Sequence, residues 1–297
     1  MARRSFPLLS RWSRHFSRHD QVVVERPVAV DAPQLGGRRT LTVYLPPGYE
    51  DTPSRSWPLL LAHDGQDMDA WKLRDALARH HAAGGDTPVV ATLAAGADRM
   101  DDYGTAGVAN VHGQGTRAED FQKFVVETVL PRLRRRYRIR QSPAHTAVIG
   151  ASLGGLSAFD LAWRHSNRFG IVGAFSASFW WRTDNTDAAA QQASRISHQL
   201  VRTTPTMPPL RLWFQTGTRD EASDRDGNGV IDAIQDTTEL IDELVARGFC
   251  RGGDIAYREV PGGEHNPATW AKVLPEFLAW AFPQATKHSQ PRMDTNG

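Results

Sequence analysis

The sequence is poor in cysteine, in net charge and in long apolar runs. Its one cysteine, Cys250, rules out an intrachain disulfide, so the 297 residues must be held by a packed core. The surrounding Arg247-Gly248-Phe249-Cys250-Arg251 reads as a helix end carrying a buried or incidental thiol. A net charge of only +2 gives no reason to expect nucleic acid as a partner. No stretch is apolar for long enough to cross a bilayer, so no membrane partner is expected. The basic N-terminus (Arg3, Arg4, Arg11, Arg14, Arg18) has Phe6–Leu9 as its longest apolar run, interrupted by Pro7. That is too short for a secretory signal, and the expectation is a cytoplasmic protein with a solvated tail over residues 1–20. The absence of acids from 1–19 leaves a transit-like reading of the same segment open.

What remains suits one sizeable domain: 40% hydrophobic and 23% charged residues, with nine Trp and twelve Phe. Short apolar runs alternate with helical patterns, which predicts an α/β fold with a mostly parallel central sheet and helices on both faces. Strands are predicted over 21–30, 39–45, 57–63, 88–93, 146–149, 171–175, 210–215 and 255–260. Helices are predicted over 69–81, 118–137 and 153–164, with a closing helix from Pro275. The domain is read as 21–283, followed by a polar C-terminal tail, 284–297. The longest insertion, 176–209, carries Phe179, Trp180 and Trp181 and reads as a pocket wall or small lid. Nothing in the sequence sets an oligomeric state.

The chemistry centres on Gly150-Ala-Ser152-Leu-Gly154, a G-x-S-x-G motif between a predicted strand and a predicted helix. The turn must be sharp, and the glycines remove side chains that would collide across it. Ser152 is then exposed at the carboxyl edge of the sheet as a nucleophile. A serine hydroxyl needs a base, and the base needs an acid to orient it, in the chain order Ser, Asp or Glu, His. His265, in the Gly-rich loop after the last strand, is the candidate base. Asp220 is the candidate acid, with Glu221 as the alternative. The tetrahedral oxyanion needs backbone N–H donors. Leu153 supplies one, and Gln66 or a near neighbour in His63-Asp64-Gly65-Gln66-Asp67 the other.

These residues sit in stretches that resemble the esterase family of α/β-hydrolases, which groups esterase D-like, enterochelin-type, feruloyl and acetyl-xylan esterases. The resembling blocks are LLLAHDGQDMDAW at 59–71, DRMDDYG at 98–104, LPRLRRRYRI at 130–139, GASLGGLSAFDLAWRHSNRFG at 150–170 and FSASFWW at 175–181. GTRDEASDRDGNGVIDAIQDT at 217–237 and GGEHNPATW at 262–270 complete the set. The resemblance implies an α/β-hydrolase fold and hydrolysis of a small-molecule carboxylic ester through an acyl-enzyme on Ser152. It implies Asp220 and His265 as partners and the Asp64-Gly65-Gln66 turn as the oxyanion loop. Trp180 and Trp181 would wall the substrate pocket, or else pack beneath the insertion. Asp67 and Asp102 depart from the family's usual Asn and Glu. Acyl transfer to an alcohol, or a binding protein with a vestigial site, are the alternatives.

A second pattern follows the oxygen spacing of an EF-hand loop: Asp224, Asp226, Asn228, the Val230 carbonyl and Asp232. Gln235 stands where the bidentate Glu belongs, and flanking EF-hand helices are not evident. The segment is either a structural calcium site bracing the Asp220 loop or an acidic surface loop. The triad chemistry requires no cofactor.

Overall fold

The structure is a computed structural model, and it describes residues 21–284. The tail readings for 1–20 and 285–297 lie outside the described residues. The strands are β1 (Val23–Val24), β2 (Val28–Ala32), β3 (Gly37–Leu45), β4 (Leu59–Ala62), β5 (Val89–Leu93), β6 (Thr146–Ala151), β7 (Ile171–Phe175), β8 (Arg211–Arg219) and β9 (Ile255–Glu264). They form a single sheet in the order β1-β3-β5-β4-β6-β7-β8-β9, with β2 also paired to β3. From β5 through β9 every pairing is parallel, while β1, β2 and β5 meet β3 antiparallel.

The helices are α1 (Leu73–Ala82), α2 (Arg99–Asp102), α3 (Ala118–Lys123), α4 (Leu130–Arg136), α5 (Leu153–Arg164), α6 (Ala188–Ala193), α7 (Ile196–Thr203), α8 (Asp232–Ala246) and α9 (Pro267–Ala281). Strand alternation divides the core into two layers. Leu59, Leu61, Val148, Val172, Leu212 and Phe214 point to the side of α3–α5 and α8. Leu60, Ile149, Ile171, Phe175 and Trp213 point to α1 and α9. The central strands are buried on both faces, which is why they read as unbroken apolar runs. This is the α/β architecture expected from the alternation, in the α/β-hydrolase form that the resemblance implies.

Several boundaries differ from the sequence reading. The opening strand is two, interrupted around Pro27, whose ring cannot donate to a ladder. The helix placed over 118–137 has a π-helical centre, Phe124–Val129, between α3 and α4. The closing helix begins at Pro267, not Pro275: the Asn266 side chain caps it by accepting from Thr269 N, and Pro267 occupies the first turn. Pro275 is carried inside the helix. Cys250 is exposed rather than buried. Within 176–209, α7 packs on α8, and the buried Arg195 guanidinium reaches Asp236 at 2.6 Å and also pairs with Glu239. Among the described residues, no helix is long and apolar enough to cross a membrane.

Phe277 on α9 is fully buried against Phe175 and Trp213. Phe277→Ala should therefore lower unfolding free energy by about 3–5 kcal/mol in a urea titration. A loss under 1 kcal/mol would contradict this packing.

Candidate active site

Ser152 lies between β6 and α5 at φ 55°, ψ −128°, a backbone state L-residues rarely adopt. The main chain is crowded there. A Cβ on Gly150 would collide with the Gly154 carbonyl, and one on Gly154 would stand 2.6 Å from the Asp64 carboxylate. The amide of Ser152 donates to the Phe175 carbonyl at 2.9 Å, and its carbonyl accepts from Ser178 N at 3.1 Å. Ser152 is thus tied on one side to the last residue of β7 and on the other to the segment that follows it. The hydroxyl is part-exposed, 3.5 Å from that of Ser178.

Asp220 follows β8 and His265 follows β9, both strands running several residues past their predicted ends. Ser152, Asp220 and His265 line one cavity of about 250 Å³ with Ser176, Ser178, Trp180, Glu221 and Asp236. Asp220 is buried: Oδ2 accepts from Gly217 N at 2.9 Å, while Oδ1 has no partner among the described residues. Burial pushes its pKa up, against the Gly217 N–H, the facing Ser176 hydroxyl and the charge of His265. Glu221 lines the same cavity but is exposed. His265 has an exposed edge and meets Trp270 edge-to-face at 5.5 Å. Its pKa is lowered by desolvation, opposed by Asp220, with Arg99 adding to the lowering. Among the described residues the His265 ring forms no hydrogen bond to Ser152 or Asp220; such contacts in ligand-free hydrolytic sites are commonly long and tighten on substrate.

The remaining candidates separate. The Leu153 amide, at the first residue of α5, donates to no described acceptor, as helix geometry requires of a first-turn N–H. The Gln66 side chain is exposed: its Oε1 accepts from Ala95 N at 3.0 Å and its Nε2 reaches Asp64. Gln66 borders a neighbouring groove with Tyr44 and Thr92, outside the lining of the Ser152 cavity. Trp180 lines the cavity, but Phe179 and Trp181 do not. Phe179 is packed in the core against Phe159 and Phe214, and Trp181 is buried against Gly104 and Gly115. The turn at 179–180, closed by the Trp181 amide donating to the Ser178 carbonyl at 3.1 Å, sends successive aromatics in different directions. Ser178 and Asp236 also line this cavity, and no sequence signal marks either for it. Ser178 lay within a resembling block, but only the fold brings it to Ser152.

In the 224–235 loop the oxygens are engaged internally. Asp224 accepts from the Asn228 and Gly229 amides, and Asn228 Oδ1 accepts from Val230 N. Gln235 donates to Asp226 at 2.8 Å and accepts from Asn228 Nδ2. Asp232 takes the Arg225 amide. The Gln235 amide thus donates to Asp226, one of the oxygens that the EF-hand spacing offers as a ligand. Among the described residues there is no group of three or more His, Cys, Asp or Glu arranged for a metal.

Gly217 lets the ends of β8 and β9 meet. A Cβ there would strike the Gly263 carbonyl and approach Asp220 Oδ1 to 2.7 Å. Gly217→Ala should separate Asp220 from His265 and reduce kcat for an ester about 10²-fold, with a smaller effect on KM. An unchanged kcat in a folded variant would contradict the role of this approach.

The model of the family described as "Putative esterase" matches residues 32–281. A Bacillus subtilis (strain 168) protein, YbbA, is 24% identical over 152 residues, 49% of this chain and 59% of that protein. The match thus spans about three-fifths of the relative's length. A ferulic acid esterase superposes with a TM-score of 0.67 at 20% identity, covering 88% of this chain and 98% of the other. The enterobactin esterase of Shigella flexneri superposes with a TM-score of 0.66 at 19% identity, covering 86% of this chain and 58% of that one. At those identities the two structures speak for the shared fold, whereas the family model spans most of the sequence. The chain belongs to this esterase family of α/β-hydrolases.

Proposed function

We propose that the protein is a serine carboxylic-ester hydrolase working through Ser152, His265 and Asp220. The observation that carries this reading is the meeting of three strand-end residues on one cavity, with Asp220 presenting a buried, unpartnered carboxylate oxygen. Leaving that oxygen unpaired costs about 1–3 kcal/mol, which a ring N–H from His265 would recover. The Ser152 hydroxyl attacks the ester carbonyl carbon as His265 takes its proton. Asp220 holds the opposite ring nitrogen and stabilises the imidazolium. The oxyanion forms beside the Leu153 amide and the main chain of the 64–67 turn. Collapse breaks the bond to the alkoxy group, which leaves with the proton from His265, and a water repeats the sequence on the acyl-enzyme. The cavity's size and its hydroxyl-rich lining favour a small acyl group. The similar solved structures are named for ferulic acid and enterobactin ester cleavage, which supports a small-molecule ester here.

Ser152→Ala should lower turnover of short p-nitrophenyl esters by about four or more orders of magnitude while the protein stays folded. Near-wild-type turnover would rule out Ser152. The base must be neutral to accept a proton, and desolvation lowers the His265 pKa. The acid limb of kcat/KM should therefore fall below the ordinary imidazole value of 6.5. A limb above 6.5 would contradict that environment. No step runs through a metal, so excess EDTA should leave kcat unchanged, and a loss restored by calcium would overturn this.

A further inference from the structure

We propose that Arg99 is a positioning residue of this reaction: by gripping Asp64 it holds the 64–67 turn against the first helical turn after Ser152. The inference rests on the esterase reading of the site. Asp64 is a non-glycine residue at φ 55°, ψ 51°, so its surroundings must hold it there. Its carboxylate receives two parallel bonds from Arg99, Nε to Oδ1 at 2.7 Å and Nη2 to Oδ2 at 2.8 Å. Gln66 Nε2 adds a third at 3.2 Å, and the Asp64 amide donates to the Tyr103 hydroxyl at 3.2 Å. The same carboxylate lies against Gly154, where no side chain intervenes. One ion pair therefore fixes both the turn and its spacing from the nucleophile. The Gly65 and Gln66 amides of that turn donate to no described acceptor, nor does that of Leu153.

Arg99 is itself fixed from behind. It opens α2, whose last residue, Asp102, is buried and ion-paired to Arg39 of β3, with Arg117 at 3.2 Å on the other oxygen. The Arg117 guanidinium also donates to the Leu35 carbonyl at 2.6 Å. The Arg99 guanidinium lies 5.1 Å from the ring centre of Tyr103, which is buried and stacked on His63. A bidentate clamp with a buried carboxylate and an anchored stem differs from a solvated surface pair, whose geometry is loose. The charged groups that act on His265 are Asp220, which raises its pKa, and Arg99, which lowers it.

The test compares wild type, Arg99→Gln, Arg99→Lys and Asp64→Asn. Readouts are kcat, KM and the pH profile with p-nitrophenyl acetate, the rate of Ser152 labelling by a fluorophosphonate, and thermal unfolding. Arg99→Gln should reduce kcat and labelling about 10²-fold with KM little changed, because a displaced donor harms the transition state more than substrate binding. Its acid limb should move to higher pH, since a positive charge near His265 is gone. Arg99→Lys keeps the charge but not the fork, so its limb should stay in place while kcat recovers only in part. Asp64→Asn leaves Arg99 uncompensated and should move the limb the opposite way, with a comparable fall in kcat; it carries the test should Arg99→Gln not fold. Wild-type kcat in folded Arg99→Gln, or a loss confined to KM, would overturn the assignment. Wild-type protein that neither turns over ester nor labels at Ser152 would instead overturn the esterase reading. Normal wild-type labelling with equal labelling of Arg99→Gln would overturn the Arg99 role alone.

Discussion

The backbone at Ser152 is the constraint on which the site depends. A serine at φ 55° is strained by about 1–3 kcal/mol and relaxes unless its neighbours prevent it. Here the prevention is covalent geometry plus tight packing. Gly150 and Gly154 touch across the turn, Phe175 and Ser178 bind the Ser152 amide and carbonyl, and β6 is pinned in parallel register between β4 and β7. The strain is carried by the central part of the sheet, where the strands are buried on both faces. The consequence is a part-exposed hydroxyl directly beside the free N–H groups that open α5.

Two shells of charge surround that turn and serve different sides of it. On one side Arg39 and Asp102 support α2, and Arg99 reaches from α2 to Asp64 beside Gly154. On the other, buried Arg195 ties the 176–209 segment to Asp236 on α8, and Arg225 joins the same carboxylate. Asp236 also lines the cavity, so the second network fixes the wall that carries Trp180. Removing one partner from either buried cluster would leave a charge without compensation, which is far costlier than losing a surface pair. The site is held by paired charges behind it and by hydrogen-bonded main chain beneath it.

What the sequence revealed follows the range of the interactions involved. G-x-S-x-G is legible because the collision it avoids is between residues four apart. The buried strands are legible because alternation and apolar runs are local. Placing Asp220 and His265 at strand ends needed only the order of the strands. The start of α9 is not legible in the same way: Pro275 reads as a boundary, whereas Asn266 and Pro267 make the cap. Phe179, Trp180 and Trp181 read together as a pocket wall, and the turn at 179–180 separates them. Arg99 and Asp64 are 35 residues apart, and Arg195 and Asp236 are 41 apart. Nothing local in the chain pairs them. The calcium-like spacing is local and legible too, whereas the bond from the Gln235 amide to Asp226 belongs to the folded loop.

The central claim is that an acyl group passes through Ser152 with His265 as its base. The most direct measurement is acid-quenched mass spectrometry of the protein during turnover of p-nitrophenyl acetate, with peptide mapping of the adduct. The account predicts one acetyl group on Ser152 that appears within the pre-steady-state burst and decays with turnover, and that is lost in Ser152→Ala. Turnover with no acetylated protein, or acetylation at a residue outside the cavity, would contradict it.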